Sequence, residues 1–487
     1  MATASSAAPT PAAIAAATQI ARGTPQTSSQ TPPPKAGPPP VLWKVYAAFL
    51  GPMIVSNILQ ALSGTVNNIY LGQMLGVSAM ASVSAFFPVL FFLIAFMIGL
   101  GSGAAVLIGQ AWGAKEPERV KAIAGTTLTV GICAGLVVAL FGGAFTEPML
   151  RALGTPADIL PGATEYARIM LIAAPCVFTF LLVTSMLRGV GDTTTPLRTL
   201  LISTAVSLLV TPALIRGWVG LPQMGVASGA YAAGVGFLVA MAWTAWYLLQ
   251  KKDGRAHPLA PDASFVKHLR IDGSILRKVL KIGLPTGLSM ITISIAEIAV
   301  LFLVNRYGSQ ATAAYGAVNQ IVSYVQFPAI SIAITASILG AQAIGAGRGH
   351  TLGKIAQTGI AMNVVLTGSL VVLGYIFSRS ILGLFITDPA VVELAQGLLH
   401  IMLWSSVIMG MSMVLSGLMR ASGAVLVPTV LTMLAIGGIE VPVAWVLSQH
   451  YGLDGIWASY PVAFLCMLAM QTTYYRLVWR KKPIRRL

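Results

Sequence analysis

The chain has 487 residues, of which 56% are hydrophobic and only 9% charged, and its formal net charge is +16. Soluble domains carry about 25% charged residues, so this composition excludes a soluble globular protein and indicates an integral membrane protein. The basic residues fall in short segments between apolar runs, where they set membrane orientation and meet anionic lipid, so we expect no nucleic-acid partner.

The first 40 residues differ in composition from the rest of the chain. Residues 1–40 consist mainly of Ala, Pro, Ser and Thr. They lack the basic start and apolar core of a signal peptide, and their prolines disfavour a helix. We predict a disordered cytoplasmic tail there.

Twelve apolar segments follow, each long enough to cross roughly 30 Å of hydrocarbon as a helix. The predicted fold is therefore an all-α polytopic membrane protein with twelve transmembrane helices. The second and eighth segments are too long for one straight crossing and should tilt or extend beyond the membrane. The predicted spans are 43–70, 79–110, 122–146, 166–187, 196–216, 225–250, 282–306, 311–341, 355–378, 395–418, 428–448 and 455–478.

Lys and Arg are distributed unevenly between the two sides of these spans. The two tails and the loops after even-numbered spans hold 25 of the 30. By the positive-inside rule both termini are cytoplasmic, and we expect a monomer in the plasma (inner) membrane. The predicted parts are an N-terminal six-helix bundle at 41–250, a cytoplasmic linker at 251–281, a C-terminal bundle at 282–478 and a basic tail at 479–487.

The two halves of the chain repeat at an offset of 232 residues. Leu107–Thr126 and Leu339–Thr358 match at 8 of 20 positions, where about two matches would be expected by chance. Six helices per repeat give both copies the same orientation, so we predict two parallel six-helix repeats around a central cavity, the geometry of alternating access. The same offset pairs Arg188 with Arg420, Gly191 with Gly423, Pro196 with Pro428, and Gly76 with Gly308.

One loop carries a specific family resemblance. Met186–Pro196, MLRGVGDTTTP, is similar to the Leu-Arg-Gly-x-Gly-Asp-Thr-x-x-Pro loop of MATE (multidrug and toxic compound extrusion) transporters. Met419–Pro428 is a degraded copy, and Gly-Gln-Ala-x-Gly-Ala at 109–114 gives weaker support. The resemblance covers about residues 43–480. It implies an exporter of organic cations and drugs, driven by inward flow of protons or sodium.

The chain also departs from the family's patterns. It resembles bacterial DinF-like members more than NorM-like members, yet Asn67 stands where DinF-like members carry a first-span aspartate. Met409 stands where NorM-like members carry a tenth-span acid, and Glu297 lies about one turn beyond their seventh-span glutamate. In the loop motif we interpret Arg188 and Asp192 as residues for packing and topology.

Two acids lie well inside predicted spans, Glu297 and Glu440. A charge at such depth costs about 2.5–3.5 kcal/mol, so a chain that keeps one generally uses it. We predict that Glu297 is the coupling group, because no Lys or Arg lies deep in another span to pair with it. Glu440 follows two glycines and precedes a proline. It is either a second coupling residue or an acceptor for backbone groups of the weakened helix.

Several neutral side chains are further candidates. The repeat places Asn67 and Asn68 near the depth of Glu297, where they would bind an ion or substrate, or form interhelical hydrogen bonds. Core packing remains the alternative for the predicted cavity residues, which are Gln60, Asn319, Gln320, Tyr324 and Met409.

The sequence therefore favours a secondary antiporter of amphipathic cations that uses protons or sodium and no other cofactor. A flippase for lipid-linked saccharides is the alternative, which the lack of mid-span Arg and Lys disfavours. An enzyme is not indicated, because no catalytic constellation is seen. The three cysteines and five histidines form no metal-binding pattern.

Overall fold

The computed structural model describes residues 42–250, 257–484 and 486–487. All regular secondary structure in these residues is helical. The predicted N-terminal tail, 1–40, lies outside the described residues.

Six membrane-crossing helices form the N-lobe. Several extend past the predicted spans, because their polar ends continue the helix beyond the apolar core. They are α1 (Leu42–Leu75), α2 (Val77–Gly113), α3 (Pro117–Val137, continued by Gly143–Ala152), α4 (Leu160–Ile172 and Ala174–Gly189), α5 (Thr194–Arg216) and α6 (Ser228–Leu249).

Six more helices form the C-lobe. Those in one continuous piece are α7 (Gly273–Asn305), α8 (Ser309–Gly345) and α9 (Leu352–Ile376), and α10 has two pieces, Pro389–Met402 and Ser405–Ala421. The remaining helix, Leu426–Met433 followed by a π turn and Val441–Leu477, is broken at Gly452 (φ 61°, ψ −135°). We call the parts before and after Gly452 α11 and α12.

In the described chain, nine helices are long and apolar enough to cross a membrane, and eleven if each bent pair counts as one span. The break at Gly452 divides the longest of them, so twelve crossings result, as the sequence predicts. The sequence did not predict the bends in two of these helices. The two pieces of α4 meet at 53° and those of α10 at 41°. In α4 the bend precedes Pro175, whose missing N–H cannot continue the ladder.

Helix α7 begins at Gly273, nine residues before the predicted start at 282. Asp272 caps it, accepting hydrogen bonds from the backbone N–H groups of Ser274 (2.8 Å) and Ile275 (3.3 Å). Hydropathy marks only the apolar part of a helix, so this polar first turn escaped the prediction.

The repeat is visible in the backbone. Gly76 and Gly308 precede α2 and α8 with φ of 89° and 95°, and Gly191 and Gly423 follow α4 and α10 with φ of 95° and 81°. These conformations strain any residue that carries a β-carbon. The two lobes therefore use the same turns at the same places, as expected for two parallel repeats.

The lobes contact each other through small residues of α2 and α7. Gly99 and Gly103 on α2 face Gly283 and Gly287 on α7, and a β-carbon at Gly283 would lie 2.7 Å from the Gly99 carbonyl oxygen. Glycines four residues apart on both helices let the backbones touch, the close packing known from membrane helix pairs. This contact lies in the half of the molecule that ends in the loops after even-numbered helices. We call that end the basic end.

Two glutamines bond across the lobe interface at the basic end. Gln110 of α2 donates through Nε2 to the Ala421 carbonyl oxygen at 2.7 Å, and Gln342 of α8 donates to the Gly189 carbonyl oxygen at 3.1 Å. The donor and the acceptor of the second bond each lie 232 residues from the donor and the acceptor of the first. The lobe that supplies the donor in one bond supplies the acceptor in the other. Gln110 and Gln342, the glutamine pair, therefore close the basic end with two-fold pseudosymmetry.

The C-terminal residues pack onto this closed end. Arg486 donates two hydrogen bonds to the carboxylate of Glu116 in the α2–α3 loop, one of them 2.7 Å long. The backbone N–H of Leu487 donates to Gln110 Oε1 at 2.9 Å. Trp479 Nε1 donates to Ser422 Oγ in the C-lobe at 2.8 Å. The segment predicted as a basic tail thus bridges the two lobes.

Candidate functional site

A cavity of about 210 Å³ lies between the lobes, directly behind the glutamine pair. Helices α2 and α4 contribute one wall, and α7, α8, α10, α11 and α12 contribute the rest. The wall is largely apolar, and at the basic end it carries hydroxyl groups and two arginines. Its principal members are Ile98, Ser102, Ser185, Arg188, Met290, Ile293, Ile334, Met409, Ser412, Met413, Ser416, Arg420, Ile436 and Met467.

The two candidate acids lie together in the C-lobe, beside this cavity. The side chain of Glu440 is only 2% exposed, whereas Glu297 is exposed at the surface of α7, and their charges are close enough to interact. Ile293 and Ile436 line the cavity, and each acid lies four residues further along its helix. One turn is about 5.4 Å, so the acid pair lies just beyond the cavity on the side away from the basic end.

The helix around Glu440 has an unusual geometry. Leu434–Glu440 form a π turn, a conformation that is rare and frequently found at functional sites. Gly437 and Gly438 tolerate the widened turn, and Pro442 cannot supply an N–H to the preceding turn. The chain therefore widens where it directs a carboxylate into the lobe.

Two tyrosines complete the surroundings of the acid pair. Tyr315 of α8 and Tyr460 of α12 share a hydrogen bond of 2.9 Å between their hydroxyl groups, and both interact electrostatically with Glu297 and Glu440. Asn319, a predicted cavity residue, hydrogen-bonds Tyr315 instead. In the described chain no donor bonds the carboxylate of Glu440.

The two candidate asparagines, Asn67 and Asn68, lie in the N-lobe, whereas the acid pair lies in the C-lobe. The Asn67 Oδ1 accepts a long hydrogen bond from Thr211 at 3.5 Å, and a β-carbon at Gly229 would lie 3.5 Å from Asn67 Nδ2. Asn68 is exposed. The structure thus places Asn67 and Glu297 in different lobes, as the repeat requires, and Asn67 packs against α5 and α6. It does not bring the asparagines and the acid pair into one site.

The remaining predicted cavity residues lie in different surroundings. Met409 lines the cavity. Gln60 and Gln320 are exposed, and Tyr324 packs edge-on against Phe327 with ring centroids 5.6 Å apart. None of these three is among the described residues that line the cavity. A helix face cannot be assigned from polarity alone when both lipid and cavity surround the helix.

Two arginines that the sequence does not assign to the cavity line its basic end. The loop motif predicts a packing and topology role for Arg188, and no Lys or Arg was expected deep in a span. Arg188 and Arg420 lie in the last turns of α4 and α10, and both line the cavity. The repeat offset that pairs them was the available signal. Asp192 does serve the architecture of the loop, because its Oδ1 accepts the backbone N–H groups of Thr194 (3.1 Å) and Thr195 (2.9 Å).

Comparison with known proteins identifies the family. The MatE family model matches residues 52–213 and 285–446, once in each lobe. The probable multidrug resistance protein YoeA of Bacillus subtilis is 44% identical over 450 residues, covering 92% of this chain and 96% of the relative. The chain belongs to the MatE family.

Other MatE relatives agree in length and fold. The multidrug export protein MepA of Staphylococcus aureus is 24% identical over 441 residues, covering 90% of this chain and 94% of the relative. The solved outward-facing conformation of a multidrug resistance MATE family transporter is 21% identical over 90% of this chain and 95% of its own, with a TM-score of 0.82. The similarity in fold extends through both lobes. Together with the relatives, it identifies this chain as a multi-pass membrane transporter of the drug-efflux type.

Proposed function

We propose that this MatE protein is an antiporter that exports amphipathic cations and is driven by protons or sodium ions entering through the Glu297–Glu440 pair. The relatives named for multidrug resistance and export support the substrate class. The observation that carries the coupling step is the position of the two acids. They lie one helical turn from the cavity, and their charges are close enough to interact.

The proposed cycle uses electrostatic competition. Two carboxylates that interact at low dielectric keep both charges only at a cost in free energy, so one takes up a proton or the pair shares a cation. A bound ion neutralises the site and disfavours a cationic substrate nearby, and its release restores the negative charge. Alternating access would expose the pair to opposite sides of the membrane in turn.

The orientation is part of the proposal. The excess of Lys and Arg supports a cytoplasmic basic end, with both termini there, in the plasma membrane. The glutamine pair then closes the cytoplasmic side, so the structure corresponds to an outward-facing state. The assignment to DinF-like rather than NorM-like members, and a monomeric state, stay predictions.

Transport in inverted membrane vesicles tests the coupling residues. Uptake of an ethidium-like dye into these vesicles should fall at least tenfold in Glu297→Gln and in Glu440→Gln, because neither amide titrates. Glu393→Gln, an exposed acid near the outer end of α10, is the matched control and should transport normally. Collapsing the proton and sodium gradients separately identifies the coupling ion. Unchanged transport in both variants would remove the acid pair from the mechanism.

A flippase for lipid-linked saccharides is the second candidate. The cavity arginines favour it, since they could bind pyrophosphate. The cavity volume of about 210 Å³ favours the exporter, because it is nearer the pockets of drug-sized ligands, roughly 300–1,000 Å³, than the space that a lipid-linked saccharide needs. Transfer of a lipid-linked sugar, with no dye transport, would reverse this order.

A further inference from the structure

The floor of the cavity is formed by two arginines related by the repeat. Arg188 and Arg420 lie in the last turns of α4 and α10, and the next residues, Gly189 and Ala421, supply the carbonyl groups that the glutamine pair binds. Both side chains line the cavity. The pseudosymmetric closure of the basic end therefore brings two guanidinium groups, one from each lobe, to the bottom of a single cavity.

These cations lack an anionic partner in the part of the chain that the structure describes. No Asp or Glu is among the described residues lining the cavity. Arg420 makes one long contact, 3.5 Å from Nη1 to Ser102 Oγ across the lobe interface. For Arg188 no hydrogen bond or ion pair with a described residue is found. Unpaired charges inside a membrane protein are costly, and they generally mark a binding site or pathway.

The chemistry of the floor selects an oxyanion. Arginine presents a planar fork of donors that fits carboxylate and phosphate oxygens, and hydroxyl groups nearby can complete the coordination. Ser102, Ser185 and Ser416 supply such hydroxyls in the cavity wall. Two guanidinium groups and several hydroxyls are therefore available to one carboxylate or phosphate group.

The rest of the cavity wall determines which kind of molecule can carry the bound carboxylate or phosphate group. From Arg420 to Met409 the wall of α10 rises about 17 Å, at 1.5 Å per residue. Methionine and isoleucine line this rise, and methionine adapts to differently shaped apolar ligands. The acid pair, Glu297 and Glu440, lies beyond the far end. A molecule along this axis meets cations first, then an apolar wall, then carboxylates.

We propose that the cavity binds zwitterionic amphipaths, with the substrate's own carboxylate or phosphate held by Arg188 and Arg420 and its cationic part directed toward the acid pair. This inference rests on the proposed export function and narrows its substrates from cations to molecules that carry both charges. It assigns Arg188 and Arg420 to substrate selectivity, whereas the sequence indicated packing for Arg188.

A matched pair of dyes tests the proposal on the purified full chain. Rhodamine B carries a cation and a carboxylate, and its ethyl ester carries the cation alone. Fluorescence anisotropy should show that the wild type binds the acid about tenfold more tightly than the ester, the preference expected for a charge-assisted contact. In Arg188→Gln and Arg420→Gln the preference should fall to near one, while the affinity for the ester stays unchanged and shows that the variants are folded.

Three further comparisons make the result decisive. Arg188→Lys should keep part of the preference, and Arg151→Gln, at an exposed arginine paired with Glu147, should keep all of it. Equal affinity of the wild type for both dyes, or binding of neither, overturns the proposal. So does stabilisation of the wild type by inorganic phosphate alone without a dye preference, which would assign the floor to a free anion. Loss of ion-driven transport with an intact dye preference would instead count against the coupling mechanism only.

Discussion

Individual side chains hold the lobes together at points that hydropathy does not reveal. Tyr46 begins the chain's first crossing, is fully buried, and donates from its hydroxyl to the Ile355 carbonyl oxygen of α9 at 2.9 Å. Its partner is 309 residues away, in the other lobe. The sequence marks Tyr46 as an aromatic residue near a membrane interface, where snorkelling to the surface is the ordinary expectation. Its role as a cross-lobe bond follows only from how the lobes meet.

Removing that hydroxyl tests its contribution. Tyr46→Phe should lower the free energy of unfolding by about 0.5–1.5 kcal/mol, since one hydrogen bond is lost without a change in packing. Thermal unfolding of the purified protein measures the effect. Tyr451→Phe removes a hydroxyl from an exposed tyrosine and should leave the melting temperature unchanged. A loss of equal size in both variants would argue against a specific bond at Tyr46.

Among the helices, α2 and α7 form a close glycine contact between the lobes. Their glycines lie four residues apart in the sequence, at 99 and 103 and at 283 and 287. Such spacing is common in membrane helices and does not reveal its partner. The structure supplies that information, because the two glycine faces oppose each other across the lobe interface.

Adding one methyl group tests this packing. Gly283→Ala places a β-carbon 2.7 Å from the Gly99 carbonyl oxygen, so the backbones must separate, and we expect a loss of about 1–3 kcal/mol in the free energy of unfolding. Gly316→Ala on α8 is the control, because no atom lies within 4 Å of its added β-carbon. Helix propensity should then make that variant equally or more stable. Equal stability of Gly283→Ala and wild type would contradict the close contact.

At the scale of the whole molecule, the basic end is closed twice, by the glutamine pair and by residues 479–484 and 486–487 outside it. The hydrogen bonds from Arg486 lower the pKa of the Glu116 carboxyl, with the charges of Arg486 and Arg119 adding to the effect. A lowered pKa means that the contact is fully formed above the usual glutamate range, about 4.3, and is lost only as pH falls through the lowered value. The closure should therefore not change between pH 5 and 8.

Hydrogen–deuterium exchange of residues 479–487 measures this docking. Arg486→Gln should increase exchange of the segment at pH 7, because the paired carboxylate loses its partner. In the wild type, after correction for intrinsic rates, exchange should rise only in acid below the usual glutamate pKa. Arg480→Gln removes the same charge from an exposed position and should have little effect. An identical increase in both variants would indicate net charge rather than the Glu116 contact.

The sequence by itself determined the architecture. Apolar length set twelve crossings, the 232-residue offset set two parallel lobes, and the acids within spans identified Glu297 and Glu440. These features follow from the cost of exposing polar groups to lipid, which acts on each segment locally. Only the tertiary structure decided that the charges of Glu297 and Glu440 interact, that Asn67 packs against α5 and α6, and that Arg188 and Arg420 face one cavity. Those outcomes depend on bends, helix rotation and contacts between residues hundreds of positions apart, none of which a local pattern records.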